Sequence, residues 1–300
     1  MTRKPNFIIA GAAKSGTTTL HGLLNSNPEV FLPELKEPHY FCREQKFNFP
    51  VITDHDDYVA LFDQHHEKAL GEASTAYLYY PESAERIHAE IPDCKIICLI
   101  RNPVERALSM WGHQVREGLE IESLDQAIED EINGKQRTLN GVDYGFNYCR
   151  LGLIADHIEQ YQSLFGHDNV LLLDYRQLHS NPQQLVNRVC DFLGVEPHTL
   201  PTKQSHLNAS GVPKFGWLHT FLNAQNPAKK LLLAPFKLLL PAKLRHQVWQ
   251  KLRNQNIRQG QRHQLSEFAK IHLDQYFKEE VLRIDDLLRN SGQASQPLAS

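Results

Sequence analysis

Phe7-Ile-Ile-Ala10-Gly11-Ala-Ala-Lys14-Ser15-Gly16-Thr17-Thr18-Thr19-Leu20 changes character twice within a few residues. The apolar run Phe7–Ala10 reads as a buried strand that Gly11 ends, and a helix from about Thr17 to Asn25 follows, stopped at Asn27-Pro28. The loop Gly11–Thr18 therefore sits at the head of a helix, where backbone N–H groups and the helix dipole can receive a phosphate. Against the pattern GxxxxGK[ST] both glycines match, but Thr17 stands in the lysine position and Lys14 has moved into the loop. An ATP or GTP site uses that lysine on the β and γ phosphates and a hydroxyl on Mg²⁺. The altered loop suits a less highly charged group and no metal. A glycine turn with a solvated lysine is the plainer reading, and the agreement of strand, loop and helix counts against it.

Working outward, further strands are expected at Val30–Leu32, Ala69–Ala73, Lys95–Ile100 and Val170–Leu173. Helices are expected at Tyr58–Gln64, Pro81–Ile91, Val104–Glu117, Leu124–Asn133, Leu151–Leu164 and Pro182–Leu193. Alternation of this kind predicts an α/β fold of three layers, a central parallel sheet with helices on both faces. Past Pro201 the pattern is almost wholly helical and ends with Gln264–Arg289. No repeat and no Gly/Ser linker divides the chain. We expect one domain over 1–300, with an α/β core at about 5–197, a basic helical C-terminal extension at about 198–290 and a polar tail at 291–300.

Two other clusters bear on chemistry. Lys95–Ile100 delivers Arg101 at its C-terminal end, where open α/β sheets bind ligands; Asn102 can cap the next helix with Pro103 in its first turn, and Ser109 follows within that helix. A guanidinium fork plus a hydroxyl would clamp a phosphate monoester, although alone an arginine before Asn-Pro is as readily a surface residue. After Val30–Leu32 comes Pro33-Glu34-Leu35-Lys36-Glu37-Pro38-His39-Tyr40-Phe41. A carboxylate whose pKa is raised by burial could accept a proton there; a surface charge pair on a turn is the bland alternative.

Taken together these motifs resemble the sulfotransferases that use 3′-phosphoadenosine 5′-phosphosulfate (PAPS), in particular the glycan-modifying branch related to heparan sulfate sulfotransferases and their bacterial relatives. The resemblance spans most of Pro5–Pro197 and is loose beyond. It implies a P-loop-type fold and transfer of a sulfuryl group to a hydroxyl or amine, with 3′,5′-adenosine bisphosphate as product, no metal, and a saccharide or glycolipid acceptor. By resemblance Lys14 is catalytic, and Lys14, Ser15, Gly16, Thr17 and Thr18 hold the 5′-phosphosulfate. Leu99-Ile-Arg101-Asn-Pro103-Val-Glu-Arg106-Ala-Leu-Ser109 resembles the 3′-phosphate element, with Arg101 and Ser109 at the matching positions. Glu37 resembles the general base, with His39 and His113 as reserves and Lys36 as a stabiliser of the departing group or the acceptor. Gly71-Glu72-Ala-Ser-Thr-Ala-Tyr77 resembles a segment near the acceptor cleft, where Glu72 would orient Lys14, touch substrate or simply hold structure. Lys214 is placed against the 3′-phosphate by analogy with a late basic loop, but the family form RKGxxGDWK is absent, which leaves the lid unplaced.

Composition adds boundaries. The 41% hydrophobic content suits a globular chain, and a net charge of −3 gives no reason to expect a nucleic-acid partner. Between Glu196 and Glu267 there is no acidic residue, yet eleven Lys and Arg fall there; peripheral membrane contact through 228–253 is one use of that charge, although Pro235 and Pro241 break the run. Cys42, Cys94, Cys98, Cys149 and Cys190 form no CxxC pair and read as reduced core thiols. Neither a signal peptide nor a spanning segment is apparent, so a cytoplasmic location is expected. Two rival readings stand beside the transferase: an atypical P-loop kinase, against which no lysine follows Gly16 and no strand-end Asp beyond Asp174 offers itself to Mg²⁺, and a non-catalytic protein that binds anionic glycans or membranes. Oligomeric state has no signature.

Overall fold

The protein is described by a computed structural model covering residues 3–200, 211–213, 257–259, 263–292 and 297–298. Five parallel strands, β1 (Phe7–Gly11), β2 (Val30–Phe31), β3 (Ala69–Ala73), β4 (Lys95–Ile100) and β5 (Val170–Asp174), form a sheet of order β2-β3-β1-β4-β5. The first strand therefore lies at the centre. Side chains alternate across the pleat: Ile8, Ala10, Ile96, Cys98, Ile100 and Leu172 enter one apolar core, while Phe7, Ile9, Ile97, Leu99, Leu171 and Leu173 enter the other. Both faces are buried, which is why these strands read as continuous apolar runs.

The second core is closed by α1 (Thr17–Leu24) and, later in the chain, by Pro182–Leu193, through Leu20, Leu24, Leu185, Val186 and Val189. The first is covered by α2 (His55–Ala60), α3 (Glu82–Glu90), α4 (Pro103–Glu117), α5 (Leu124–Ile132) and α6 (Ala155–Phe165). A short α7 (Gln177–Ser180) precedes α8 (Pro182–Leu193), and α9 (Glu267–Tyr276) and α10 (Lys278–Asn290) complete the described helices. The five cysteines are buried and free. Among the described residues no helix is long and apolar enough to cross a membrane.

Several boundaries differ from the sequence reading, each with a local cause. Helix α2 starts at His55 rather than Tyr58 because the Asp54 carboxylate accepts from the N–H groups of Asp56 and Asp57. Helix α6 starts at Ala155 rather than Leu151: Glu280 Oε1, reaching across from α10, accepts from Ile154 N and Ala155 N, each at 2.7 Å. The expected helix Gln264–Arg289 is two helices meeting at Phe277, whose fully buried ring anchors the join. The stretch past Pro201 is not wholly helical, since β6 (Gly211–Pro213) and β7 (Ile257–Gln259) pair antiparallel, Val212 opposite Arg258. The tail is not merely polar either. Leu298 is buried, its N–H donates to Asp285 Oδ1 at 2.9 Å and its carbonyl accepts from Asn102 Nδ2 at 2.8 Å.

Candidate functional site

The loops after β1, β3 and β4 meet at the C-terminal edge of the sheet, where the strand order reverses around β1. Ala12 N donates to Leu99 O at 2.9 Å, which joins the first loop to β4. Gly16 caps α1 with a φ of 89°, and a Cβ there would lie 2.5 Å from Leu178 Cδ1, so this turn admits only glycine. Lys14 is also left-handed, at φ 65°. Its carbonyl is held by Arg101 Nη1 at 3.1 Å. Ser15 is fully buried, and its hydroxyl has no hydrogen-bond partner. A buried hydroxyl without a partner is costly, and at the head of a helix an anion would relieve it.

Positive charge converges on this loop. Burial lowers the Lys14 pKa to about 8, with the charges of Arg116, Arg101 and Lys36 acting in the same direction and Glu37 opposing them. Arg101 stacks over the Tyr175 ring at 4.6 Å and pairs with Glu105 at 3.0 Å. Ser109, His113 and Arg116 follow on the same face of α4 at helical spacing. Arg116 Nη2 donates to His113 Nδ1 at 2.8 Å. Burial first, then Lys14 and Arg116, push the His113 pKa down to about 4, so this imidazole is neutral, with its proton on Nε2.

Glu37, at φ 63°, is tied by its N–H to Ala73 O at the end of β3. Its Oε1 accepts from Lys36 Nζ at 2.7 Å, and its Oε2 from His39 Nε2 at 3.1 Å and Thr75 Oγ1 at 3.2 Å. Burial favours the protonated carboxyl, but the His39 hydrogen bond and the Lys36 charge outweigh it and hold the pKa well below the usual carboxylate range. This reverses the expectation of a burial-raised base: the partners, not desolvation, dominate. Thr75 Oγ1 also bonds Tyr144 OH at 2.9 Å. His39 is fully buried, its Nδ1 unpartnered and its ring stacked on Phe47 at 4.9 Å.

Glu72 makes no hydrogen bond to Lys14. Its carboxylate accepts from Ser74 Oγ at 2.7 Å and Tyr58 OH at 3.3 Å, and burial raises its pKa to about 7. Ser74 Oγ in turn accepts from His39 N at 3.0 Å, so Glu72 braces the turn that carries Glu37. Asp174 is gripped by Arg176, with Nη2 to Oδ2 at 2.7 Å and Nε to both oxygens, which leaves it poorly placed as a cation ligand. Lys214 and the segment 228–253 lie outside the described residues. Sequence reasoning gave no role to Arg116, Thr75, Tyr144 or Tyr175: Arg116 carried a signal in its place one turn past His113 and Thr75 in its place within Gly71–Tyr77, and the other two carried none.

The model of the sulfotransferase domain family matches residues 4–211. This chain belongs to the sulfotransferase domain family. A crystal structure of a sulfotransferase from Alicyclobacillus acidocaldarius is similar at 33% identity and a TM-score of 0.62, covering 69% of this chain and 87% of that one. Human heparan sulfate glucosamine 3-O-sulfotransferase 6 is 29% identical over 211 residues, 69% of this chain and 57% of that protein. The human bifunctional heparan sulfate N-deacetylase/N-sulfotransferase 2 is 28% identical over 200 residues, 65% of this chain. The sulfotransferase chain thus spans little more than half of the first curated relative and 22% of the second. Membership in this family disfavours the kinase reading.

Proposed function

We propose that this chain moves the sulfuryl group of PAPS to a hydroxyl or amine of a saccharide or glycolipid acceptor. The observation that carries the reading is the buried, unpartnered Ser15 hydroxyl in a left-handed loop surrounded by Lys14, Lys36, Arg101 and Arg116. Such a cradle fits an anion at the head of α1. PAPS would supply the sulfuryl group in transferable form. The backbone of Ser15, Gly16, Thr17 and Thr18 would hold its 5′-phosphate, and Arg101 and Ser109 its 3′-phosphate. Lys14 would supply an ammonium to the charge that grows on the bridging oxygen as the sulfuryl group leaves.

Glu37 accepts the acceptor's proton. In the free protein its cationic partners make it a weak base. A nearby anion competes for Lys36 and raises the Glu37 pKa by like-charge repulsion, so basicity increases when the loop is filled. His113 is a poor alternative, because Nδ1 is occupied by Arg116 and Nε2 carries the proton of the neutral ring. A saccharide acceptor is supported by the kinship with the two heparan sulfate enzymes. A cytoplasmic location and membrane contact through 228–253 belong to the same proposal.

Isothermal titration with 3′,5′-adenosine bisphosphate, beside ATP with Mg²⁺, tests the reading. The bisphosphate should bind and Arg101→Ala should weaken it about 10- to 100-fold, the loss expected for charge-assisted hydrogen bonds. Lys14→Ala should instead lower kcat about 10²–10³-fold with a smaller effect on affinity. Binding of ATP without binding of the bisphosphate would overturn the assignment.

A further inference from the structure

On the His39 side of Glu37 the surface is aromatic. Phe49 is 41% exposed, although its ring lies 5.1 Å from Phe47 and 5.3 Å from His39, centroid to centroid. Phe47 stacks nearly parallel on His39, with 8° between the planes, and meets Tyr144 edge-on at 5.6 Å. His39 itself donates from Nε2 to Glu37 Oε2 at 3.1 Å. A single imidazole thus separates an exposed benzene ring from the carboxylate assigned the acceptor's proton. Leu35, 52% exposed, lies two residues before Glu37 on the same turn. The Phe49 ring is held by its neighbours and open to water, so a ligand laid over it would bury apolar area.

We propose that Phe49, backed by Phe47, is an acceptor subsite that stacks against the apolar C–H face of a pyranose ring and so turns the reacting hydroxyl or amine toward Glu37. The inference rests on the transferase reading and narrows it. A gluco-configured ring with equatorial substituents presents a face of C–H groups wide enough to cover a benzene ring, while its edge hydroxyls stay free for hydrogen bonds. Aromatic rings supply large contact area at low conformational cost and fix orientation. The rigid backing by Phe47, His39 and Tyr144 makes this ring a platform rather than a mobile surface side chain. A linear alcohol would meet the same apolar surface without the ring's shape, and the test separates the two.

The experiment titrates the protein, first saturated with 3′,5′-adenosine bisphosphate, with chitotriose and separately with 1-octanol, for wild type, Phe49→Ala and Phe49→Trp. Binding of the bisphosphate is measured in each variant, and thermal melting checks folding. Chitotriose should bind the wild type, bind Phe49→Ala about three- to tenfold more weakly, as loss of an aromatic contact predicts, and bind Phe49→Trp at least as well as wild type, with bisphosphate affinity equal in all three. Equal chitotriose binding by wild type and Phe49→Ala, or no chitotriose binding by bisphosphate-loaded wild type, overturns the platform. So does Phe49-dependent binding of octanol alone. Failure of the bisphosphate to bind the wild type would strike the cofactor reading instead, a distinguishable result.

Discussion

Glu37 shows how a residue's partners decide its chemistry. Its carboxylate is ionised far into the acid range because Lys36 and His39 hold it, so the acid limb of kcat/KM should lie low. Lys36→Ala removes a cation from Oε1, raises the Glu37 pKa and should move that limb to higher pH; an unmoved limb would mean that another group is the base. Glu37→Gln should cost about 10²–10⁴ in kcat, the usual range for a lost proton acceptor. Lys14 titrates in the opposite sense. With its pKa lowered to about 8, its charge is lost as pH rises through that value, and affinity for 3′,5′-adenosine bisphosphate should fall with it. In Arg116→Ala the second-largest cause of the shift is gone, so the fall should move to higher pH, as titrations at pH 7 to 10 would show. The three motif lysines and acids were legible in the sequence, because Lys14, Lys36 and Glu37 sit in short diagnostic strings. The sign of the Glu37 shift was not, because it depends on where side chains point.

At the scale of elements, the five strands of the parallel sheet were readable almost to the residue, whereas β6 and β7 were not: a sheet buried on both faces leaves unbroken apolar runs such as Ile-Ile-Cys-Leu-Ile at 96–100. Helix starts were less legible where the cap comes from afar. Nothing near Leu151 announces that Glu280 will cap α6, and nothing in the periodicity of 264–289 marks the break at Phe277. Tyr144, and its bond to Thr75, escaped notice for a related reason, as only the fold brings the end of β3 to the loop before α6. Glu280→Ala leaves two buried N–H groups at Ile154 and Ala155 without an acceptor and should lower stability by about 1–3 kcal/mol in urea unfolding. Since Arg283 holds Asp156 at 2.6 Å beside the same helix end, a smaller loss would mean that this exposed pair fixes the α10–α6 contact instead.

For the molecule as a whole, the buried carboxyl of Glu72 links stability to pH. Its folded pKa, about 7, exceeds the ordinary 4.5, so the folded state binds the proton more tightly. Its contribution is full below pH 4.5 and is lost as pH rises through 7. Wild type should therefore lose stability relative to Glu72→Gln between pH 5 and pH 8, by at most about 3 kcal/mol; parallel stability curves would show that the carboxyl is ionised throughout.

The central position of β1 also bears on how the chain is made. A ribosome releases Phe-Ile-Ile-Ala early, but β1 pairs with β3 through Phe7 and Gly71 and with β4 through Phe7 and Lys95. Until those later strands emerge, the strand has no edge to join, and pairings so distant in sequence form slowly. A nascent chain therefore carries this apolar strand unpaired until β3 (Ala69–Ala73) and β4 (Lys95–Ile100) have been made, exposed to aggregation unless a chaperone covers it. The Lys14 loop, which needs β4 for the Ala12–Leu99 bond, cannot take shape on a polysome before Leu99 has left the exit tunnel.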